Sequence, residues 1–502
     1  MREFSICKTD FYNQYLVSSL GPYHIYLAPI IIYFIENEEN ANYRKNPLPK
    51  HLTLGKNEYK EEDIIYYYTK YTFLKQNGLL AERDIPEPEK VSGTIHKEDI
   101  KHNLANLTNL VFEVTDACNL KCKYCGYGEF YTNYDVRQNS YMTFETAKAI
   151  IDYLILFWRS SLNHTLKRTV TFGFYGGEPL LNIELIKEIV DYIESHSPST
   201  INYEFNMTTN GTMLDKYMDY LVLKKFRLLI SLDGNETNHS YRVTHNGSNS
   251  FSLVCKNVKL VKQKYPDFFE QNVSFNAVLH NRNSVKDIIT FINEEFGKNP
   301  QISGLSDSGI NPNKLEEFNK TYKNFMEDID QSDILDQLTL KNGFVDPIFA
   351  GAVTYVNQHT GNFFKSYKDL LLNQKKNLIP TATCLPFAKK MFVTVSGKIL
   401  PCERIGQQFY LGVINKSTVE LDFENIALKY NKYYNNLQNQ CGHCYGYLSC
   451  MHCIFNIDTL QQKNNCPFQK SYEEQDLYVS SILSFFEKNP EAYKKSMSVK
   501  IE

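Results

Sequence analysis

Between residues 106 and 297, apolar runs rich in β-favouring residues alternate with stretches whose apolar positions recur at helical spacing. The β runs fall near 109–115, 168–175, 203–209, 226–232 and 271–279. The helical stretches are Phe144–Leu162, Asn182–Ser195, Met213–Lys224, Ser252–Lys264 and Ser284–Phe296. Strand–helix alternation at this spacing predicts right-handed βαβ units, a parallel sheet and an α/β class. In such a barrel or partial barrel, chemistry sits on the loops at the C-terminal ends of the strands. Those loops carry distinctive residues here. A loop with Cys118, Cys122 and Cys125 follows the first strand, and Gly176-Gly-Glu-Pro179 follows the second. Thr208-Thr-Asn-Gly211 follows the third and Ser231-Leu-Asp-Gly234 the fourth. Each alone is an ordinary turn; together they mark one rim.

The flanks read differently. Residues 1–105 contain a helical stretch, Glu62–Asn77, ended by Gly78, and a linker-like run at 84–90. Residues 106–300 form the expected barrel and 301–383 a mainly helical connector. Residues 384–475 are rich in cysteine, and 476–502 form a helical tail. Composition narrows the function. A chain of 502 residues exceeds one compact core. A net charge of −3 argues against a dedicated nucleic-acid binder and gives no sign of an electrostatic membrane anchor. The most apolar stretch, Tyr23–Ile35, contains a proline and is too short to span a bilayer. With no signal peptide visible, a cytoplasmic, reducing location is expected. There, 12 cysteines read better as metal ligands than as disulfides.

Cys118, Cys122 and Cys125 supply three thiolates within eight residues, after the run Leu110–Thr115. Iron–sulfur cubanes are usually held by four cysteines. A three-thiolate loop leaves one iron open for a small molecule, as catalytic metal sites do. Part of a structural zinc site, or unrelated thiols, are the plain alternatives. The CxxxCxxC spacing resembles the signature of the radical S-adenosylmethionine (radical SAM) enzymes. The resemblance implies a [4Fe-4S] cluster whose open iron chelates SAM, and a 5′-deoxyadenosyl radical formed on reduction. It also implies a partial (β/α)6 TIM-type barrel. Gly176, Gly177, Glu178 and Pro179 match the family's GGEP motif. There the glycines let backbone approach the methionyl part of SAM and Glu178 can receive its ammonium. A tight strand-to-helix turn with Pro179 at its first helical position gives the same sequence. By the same resemblance Tyr124 lies near the adenine, and Asn210 and Ser231 touch the ribose or carboxylate. Arg242 is a candidate partner for the carboxylate.

Seven further cysteines crowd into residues 384–466: Cys384, Cys402, Cys441, Cys444, Cys450, Cys453 and Cys466. With Gly397 five residues before Cys402, the set resembles the SPASM domain, the auxiliary-cluster module of radical SAM enzymes that modify peptides and proteins. Cys450 and Cys453 stand one residue closer than in the usual pattern. A zinc ribbon is the alternative. The resemblance implies one cluster on Cys441, Cys444, Cys450 and Cys466 and a second on Cys384, Cys402 and Cys453, three [4Fe-4S] clusters in all. The second auxiliary cluster has a vacant iron or borrows a ligand such as His452 or a residue of 301–383. By resemblance to sulfatase maturases, Glu403, beside Cys402, is a general-base candidate, with an exposed or salt-bridged side chain as the plain alternative. Cys7 and Cys255 read as ordinary residues.

The expected activity is that of a peptide maturase, forming a thioether or carbon–carbon crosslink in a ribosomally made precursor peptide. Residues 1–105 have the size and position of a winged-helix-like leader-peptide domain that works by β-augmentation. The partners implied are a precursor of leader plus core and an electron donor such as flavodoxin or ferredoxin. Alternatives are a formylglycine-generating anaerobic sulfatase maturase, a non-catalytic leader-peptide binder and a zinc scaffold.

Overall fold

The computed structural model describes residues 5–17, 24–37, 48–80, 91–164, 167–331, 349–356 except 350 and 354, 379–447 except 382, 450–457 except 451, and 466–498. The linker expected at 84–90 and about half of the 301–383 connector lie outside the described residues.

The chain opens with three antiparallel strands, β1 (Ser5–Lys8), β2 (Gln14–Val17) and β3 (His24–Tyr26), in the order β1-β2-β3. Helix α1 (Pro29–Glu36), the hairpin β4 (His51–Leu54) with β5 (Asn57–Lys60), and α2 (Glu61–Gln76) follow. Leu16, Ile30, Phe34, Ile64 and Leu74 give this unit its own core. That core stops short of residue 105. Helix α3 (Lys97–Ala105) places Ile100 and Leu104 four residues apart on one face, and both join the main core with Ile95.

Six parallel strands form the body: β6 (Asn109–Thr115), β7 (Arg168–Gly176), β8 (Ile201–Thr209), β9 (Arg227–Ser231), β10 (Val273–Val278) and β11 (Gln301–Ser303). The helices α4 (Phe144–Trp158), α5 (Ile183–His196), α6 (Leu214–Leu223), α7 (Phe251–Lys264), α8 (Pro266–Asn272) and α9 (Val285–Phe296) alternate with them. Local signals set their ends. In α9, Ser284 caps the N-terminus by accepting from Asp287 N, and Gly297 at φ 71° closes the C-terminus. Between them Val285, Ile288, Ile289, Ile292 and Phe296 form one buried stripe. The sixth strand, only three residues long, begins one residue past the barrel's expected end at 300.

After α10 (Leu315–Thr321) and α11 (Phe325–Asp330), the cysteine-rich segment extends the same sheet. Strand β12 (Met391–Val393) pairs parallel with β6, and β13 (Lys398–Leu400), β14 (Gly412–Asn415) and β15 (Thr418–Glu420) continue antiparallel. The ten-stranded sheet therefore runs β11-β10-β9-β8-β7-β6-β12-β13-β14-β15. A long helix, α12 (Phe423–Gly442), packs on α3, where Asn431 exchanges two 2.9 Å hydrogen bonds with the Ile95 backbone. Helices α13 (Tyr472–Lys488) and α14 (Pro490–Ser498) end the described chain. Tyr15 and Asn13 bond Glu487 on α13 at 2.7 and 3.0 Å, so the first and last described elements meet. Buried Cys7 lies in that contact and buried Cys255 on α7, both in apolar clusters as ordinary residues. Among the described residues no helix is long and apolar enough to cross a membrane.

Candidate active site

The parallel strands deliver their C-terminal ends to one rim, and the loops there interlock through hydrogen bonds. The cysteine loop is pinned by the segment after β9: Lys121 N donates to Val243 O at 2.7 Å and Lys123 N to Tyr241 O at 3.1 Å. On its other side, Gly177 N donates to Thr115 O and Glu178 N to Ala117 O. Those bonds explain the glycine pair. A Cβ on Gly176, whose φ is 135°, would stand 2.1 Å from Thr115 O, and one on Gly177 would stand 1.9 Å from Ala117 O. The glycines let this loop lie against the root of the cysteine loop, a requirement of the chain itself. Pro179 opens a short helical turn, as its position after the strand predicts.

Glu178 is fully buried and its carboxylate is engaged by the protein. It accepts from Thr209 Oγ1 at 2.7 Å, Leu180 N at 3.1 Å and Asn210 N at 2.8 Å, so it ties the second rim loop to the third. Burial pushes its carboxyl up to about 7, against these three bonds, which favour the charged form. A raised pKa means this group stabilises the fold fully below about pH 4.3 and loses that contribution as pH rises through 7. The difference is on the order of 3 kcal/mol. Chemical denaturation at a series of pH values should therefore show the wild type losing stability between pH 5 and 7 that Glu178→Gln does not lose. Equal slopes would refute the assignment.

Asn210 reaches the cysteines. Its Nδ2 donates to Asn119 Oδ1 at 2.8 Å and lies 3.9 Å from Cys118 Sγ, while its Oδ1 accepts from Thr212 N at 3.0 Å. His245 contacts Cys118 O at 2.8 Å. Ser231 ends β9, nearly buried. Arg242 has a partner other than the expected carboxylate: its Nε and Nη2 donate to Asp233 Oδ2 and Oδ1, both at 3.0 Å. Tyr124 donates its hydroxyl to the same Asp233 and stacks on His280.

The three thiols are half-buried, and burial pushes Cys122 up to about 12 and raises Cys118. Unliganded, Cys118 and Cys122 favour the neutral form, and bound iron reverses that preference. Arg137 donates from Nη2 to Cys125 Sγ at 3.3 Å, while its buried Nε has no partner. Three thiols, a cation against them and an orphaned N–H beside them suit a thiolate-held iron–sulfur cluster. Among the described residues no three metal-ligand side chains converge on a single-ion position, so the fit rests on the loops that carry the thiols.

Six of the seven C-terminal thiols fall into two groups, and Cys402 stands two residues past β13. Gln440 exchanges two 2.7 Å bonds with the Cys466 backbone, which joins that residue to the end of α12. Burial, together with neighbouring Cys466, Cys450 and Cys444, pushes the Cys441 thiol up to about 12. These four are together. In the other group, Ile454 N donates to Thr383 Oγ1 at 2.7 Å, which sets Cys453 and Cys384 side by side. His452, one candidate for an eighth ligand, stacks flat on Phe468 at 3.8 Å, two residues from Cys466.

Glu403 accepts from Lys390 Nζ at 2.8 and 2.9 Å. Burial would raise its carboxyl, but the ammonium outweighs burial and holds it below the usual carboxylate range. Tyr134 is close to both halves of the site: burial first, then Cys402, Glu403 and Cys125, push its hydroxyl up to about 12. The loop that carries it is clasped to the C-terminal segment, with Gln407 N on Asn133 O at 2.8 Å and Asp135 N on Gln407 Oε1 at 3.0 Å.

Sequence reasoning missed Glu113, Tyr127, Arg137 and Asp233. Glu113 is buried in β6, where Tyr127 donates to Oε1 and Val395 N to Oε2. Its signal was a lone carboxylate inside an apolar run.

Residues 112–294 match the family model of the radical SAM superfamily. The chain is 23% identical over 400 residues to a cysteine-type anaerobic sulfatase-maturating enzyme of Clostridium novyi, covering 77% of this chain and 96% of that protein. It is 25% identical over 350 residues to the radical SAM cyclopropyl synthase TigE of Paramaledivibacter caminithermalis, covering 66% of each. The fold is similar to that of native anSMEcpe with bound AdoMet and Cp18Cys peptide. That structure superposes with a TM-score of 0.52 at 20% identity, over 78% of this chain and 99% of the other.

Proposed function

We propose that this chain, a radical SAM enzyme whose domain spans residues 112–294, is a peptide maturase that oxidises a ribosomally made precursor and closes a thioether or carbon–carbon crosslink. The carrying observation is that the two thiol sites meet around one residue: Tyr134 packs its ring against Gly126, next to Cys125, and its loop bonds Gln407 on the segment that carries Cys402 and Glu403. When bound, a [4Fe-4S] cluster on Cys118, Cys122 and Cys125 together with SAM supplies a 5′-deoxyadenosyl radical for hydrogen abstraction. The chain's own residues arrange the rest. Gly176, Gly177, Glu178 and Pro179 hold the rim loop that takes the methionyl end, and Asn210 and Ser231 line the same rim. Arg242 acts through Asp233, fixing Tyr124 inside the cysteine loop. Glu403 is the carboxylate placed to accept a proton from the substrate once Lys390 releases it.

In this reading residues 384–475 form a SPASM domain with two auxiliary clusters, and a flavodoxin or ferredoxin supplies electrons in the cytoplasm. The first unit, with edge strands β1 and β3 and its own core, receives the leader peptide. A second reading, formylglycine formation in a sulfatase, is favoured by alignment with the Clostridium novyi maturase over nearly all of that protein. Intact mass of precursor peptides encoded beside this protein, after anaerobic co-expression, separates the two. Loss of a hydrogen pair with every cysteine sulfur retained, dependent on Cys118, Cys122 and Cys125, is the expected result. Unchanged peptides, and formylglycine in a co-expressed sulfatase, would overturn it in favour of the second reading.

A further inference from the structure

Two tyrosines on α12 carry hydroxyls the chain leaves without partners. Tyr430 and Tyr434 stand four residues apart, so they share one helix face. They are 0% and 2% exposed, and neither buried phenol oxygen has a hydrogen-bond partner. Native cores rarely keep such groups, because burying a hydroxyl without a partner is costly. Two adjacent ones point to an acceptor that the polypeptide does not supply.

Their position indicates which acceptor. Tyr430 packs edge-on against Phe455, 5.4 Å between ring centres, two residues beyond Cys453. Phe455 also meets Phe409 at 4.9 Å, in the loop after Cys402. The bond from Ile454 N to Thr383 Oγ1 brings Cys384 to the same place. Cys453 and Cys384 lie close enough to both phenols to disfavour their ionisation, and Cys402 adds to this at Tyr430. Among the described residues, no second pair of unpartnered phenols is found.

We infer that Tyr430 and Tyr434 donate hydrogen bonds to sulfur of an iron–sulfur cluster held by Cys384, Cys402 and Cys453, and thereby set its reduction potential. The inference rests on the reading that the C-terminal cysteines hold two clusters. Hydrogen bonds to cluster sulfur stabilise the electron-rich reduced form, so they raise the potential. Two donors of this kind make the cluster a better acceptor for an electron leaving a substrate radical.

The test starts from the full chain with Cys118, Cys122 and Cys125 all changed to Ala, reconstituted anaerobically. About eight irons per chain, at four per cubane, confirm the two auxiliary clusters; about four overturn that reading and the inference with it. In this background Tyr430→Phe and Tyr434→Phe keep ring volume and remove only the hydroxyl. Redox titration followed by electron paramagnetic resonance should then show one midpoint moved to a more negative potential. The other midpoint and the iron content should stay unchanged. With eight irons present, a midpoint unmoved in both variants overturns the inference alone. Disappearance in Tyr430→Phe of a phenolate-to-iron absorption band also overturns it, by making Tyr430 a ligand.

Discussion

Replacing Cys122 by alanine is expected to abolish reductive SAM cleavage while the iron bound through the C-terminal cysteines remains. Cys122 is the middle thiol of the loop, and its backbone carbonyl accepts from Cys125 N at 3.3 Å, so its position sets the turn carrying the third thiol. Two remaining thiolates cannot hold a cubane that already has one ligand fewer than usual. The C-terminal thiols stand on other elements, the end of α12 and the segments around Thr383 and Ile454, and share no ligand with this loop. The readout is 5′-deoxyadenosine formed under dithionite, with iron counted in the same sample. Product at the wild-type level in this variant would remove the catalytic assignment of Cys118, Cys122 and Cys125.

What the sequence made legible was whatever has a period or a spacing. Strand–helix alternation placed five of the six parallel strands, the helices between them except the short α8, and with them the rim loops. Strand β11 was invisible because three residues, Gln301–Ser303, make no apolar run. The same brevity hid β12 to β15, so the joining of the cysteine-rich segment to β6 could not be read. Contacts between distant positions were equally silent. Glu113 meets Val395 and Asn13 meets Glu487, separations of 282 and 474 residues. The glycine pair was legible as a motif, but its cause was not, since Thr115 and Ala117 press on it only after folding. Asp233 sits in an Asp-Gly pair that reads as an ordinary turn, yet it organises the buried polar core of the rim.

Removing that carboxylate, by Asp233→Ala, should destabilise the barrel and empty the catalytic site selectively. Asp233 is fully buried and accepts from Arg242 twice and from Val278 N at 2.9 Å, and it takes the Tyr124 hydroxyl. His280 Nε2 stands 3.8 Å away. Asp233 N donates to Nδ1 of His239, which burial pushes down to about 4, so His239 stays neutral. Four segments thus meet at one charge: the cysteine loop, the end of β9, the Tyr241–Thr244 segment and the end of β10. Burial would raise the Asp233 carboxyl, but Arg242 holds it well below the usual range. Its contribution is therefore complete at neutral pH and is lost only as pH falls below about 4. Deleting one member of a buried pair leaves the other as an uncompensated charge, a cost of about 3–5 kcal/mol. Tyr124 loses its anchor between Cys122 and Cys125 at the same time. The thermal midpoint should fall by several degrees, with iron lost from the rim site and kept by the C-terminal cysteines. Asp233→Ala combined with Arg242→Met should recover part of the loss, because the stranded charge is gone. A single variant as stable and as iron-rich as the wild type would show that the rim does not depend on this pair.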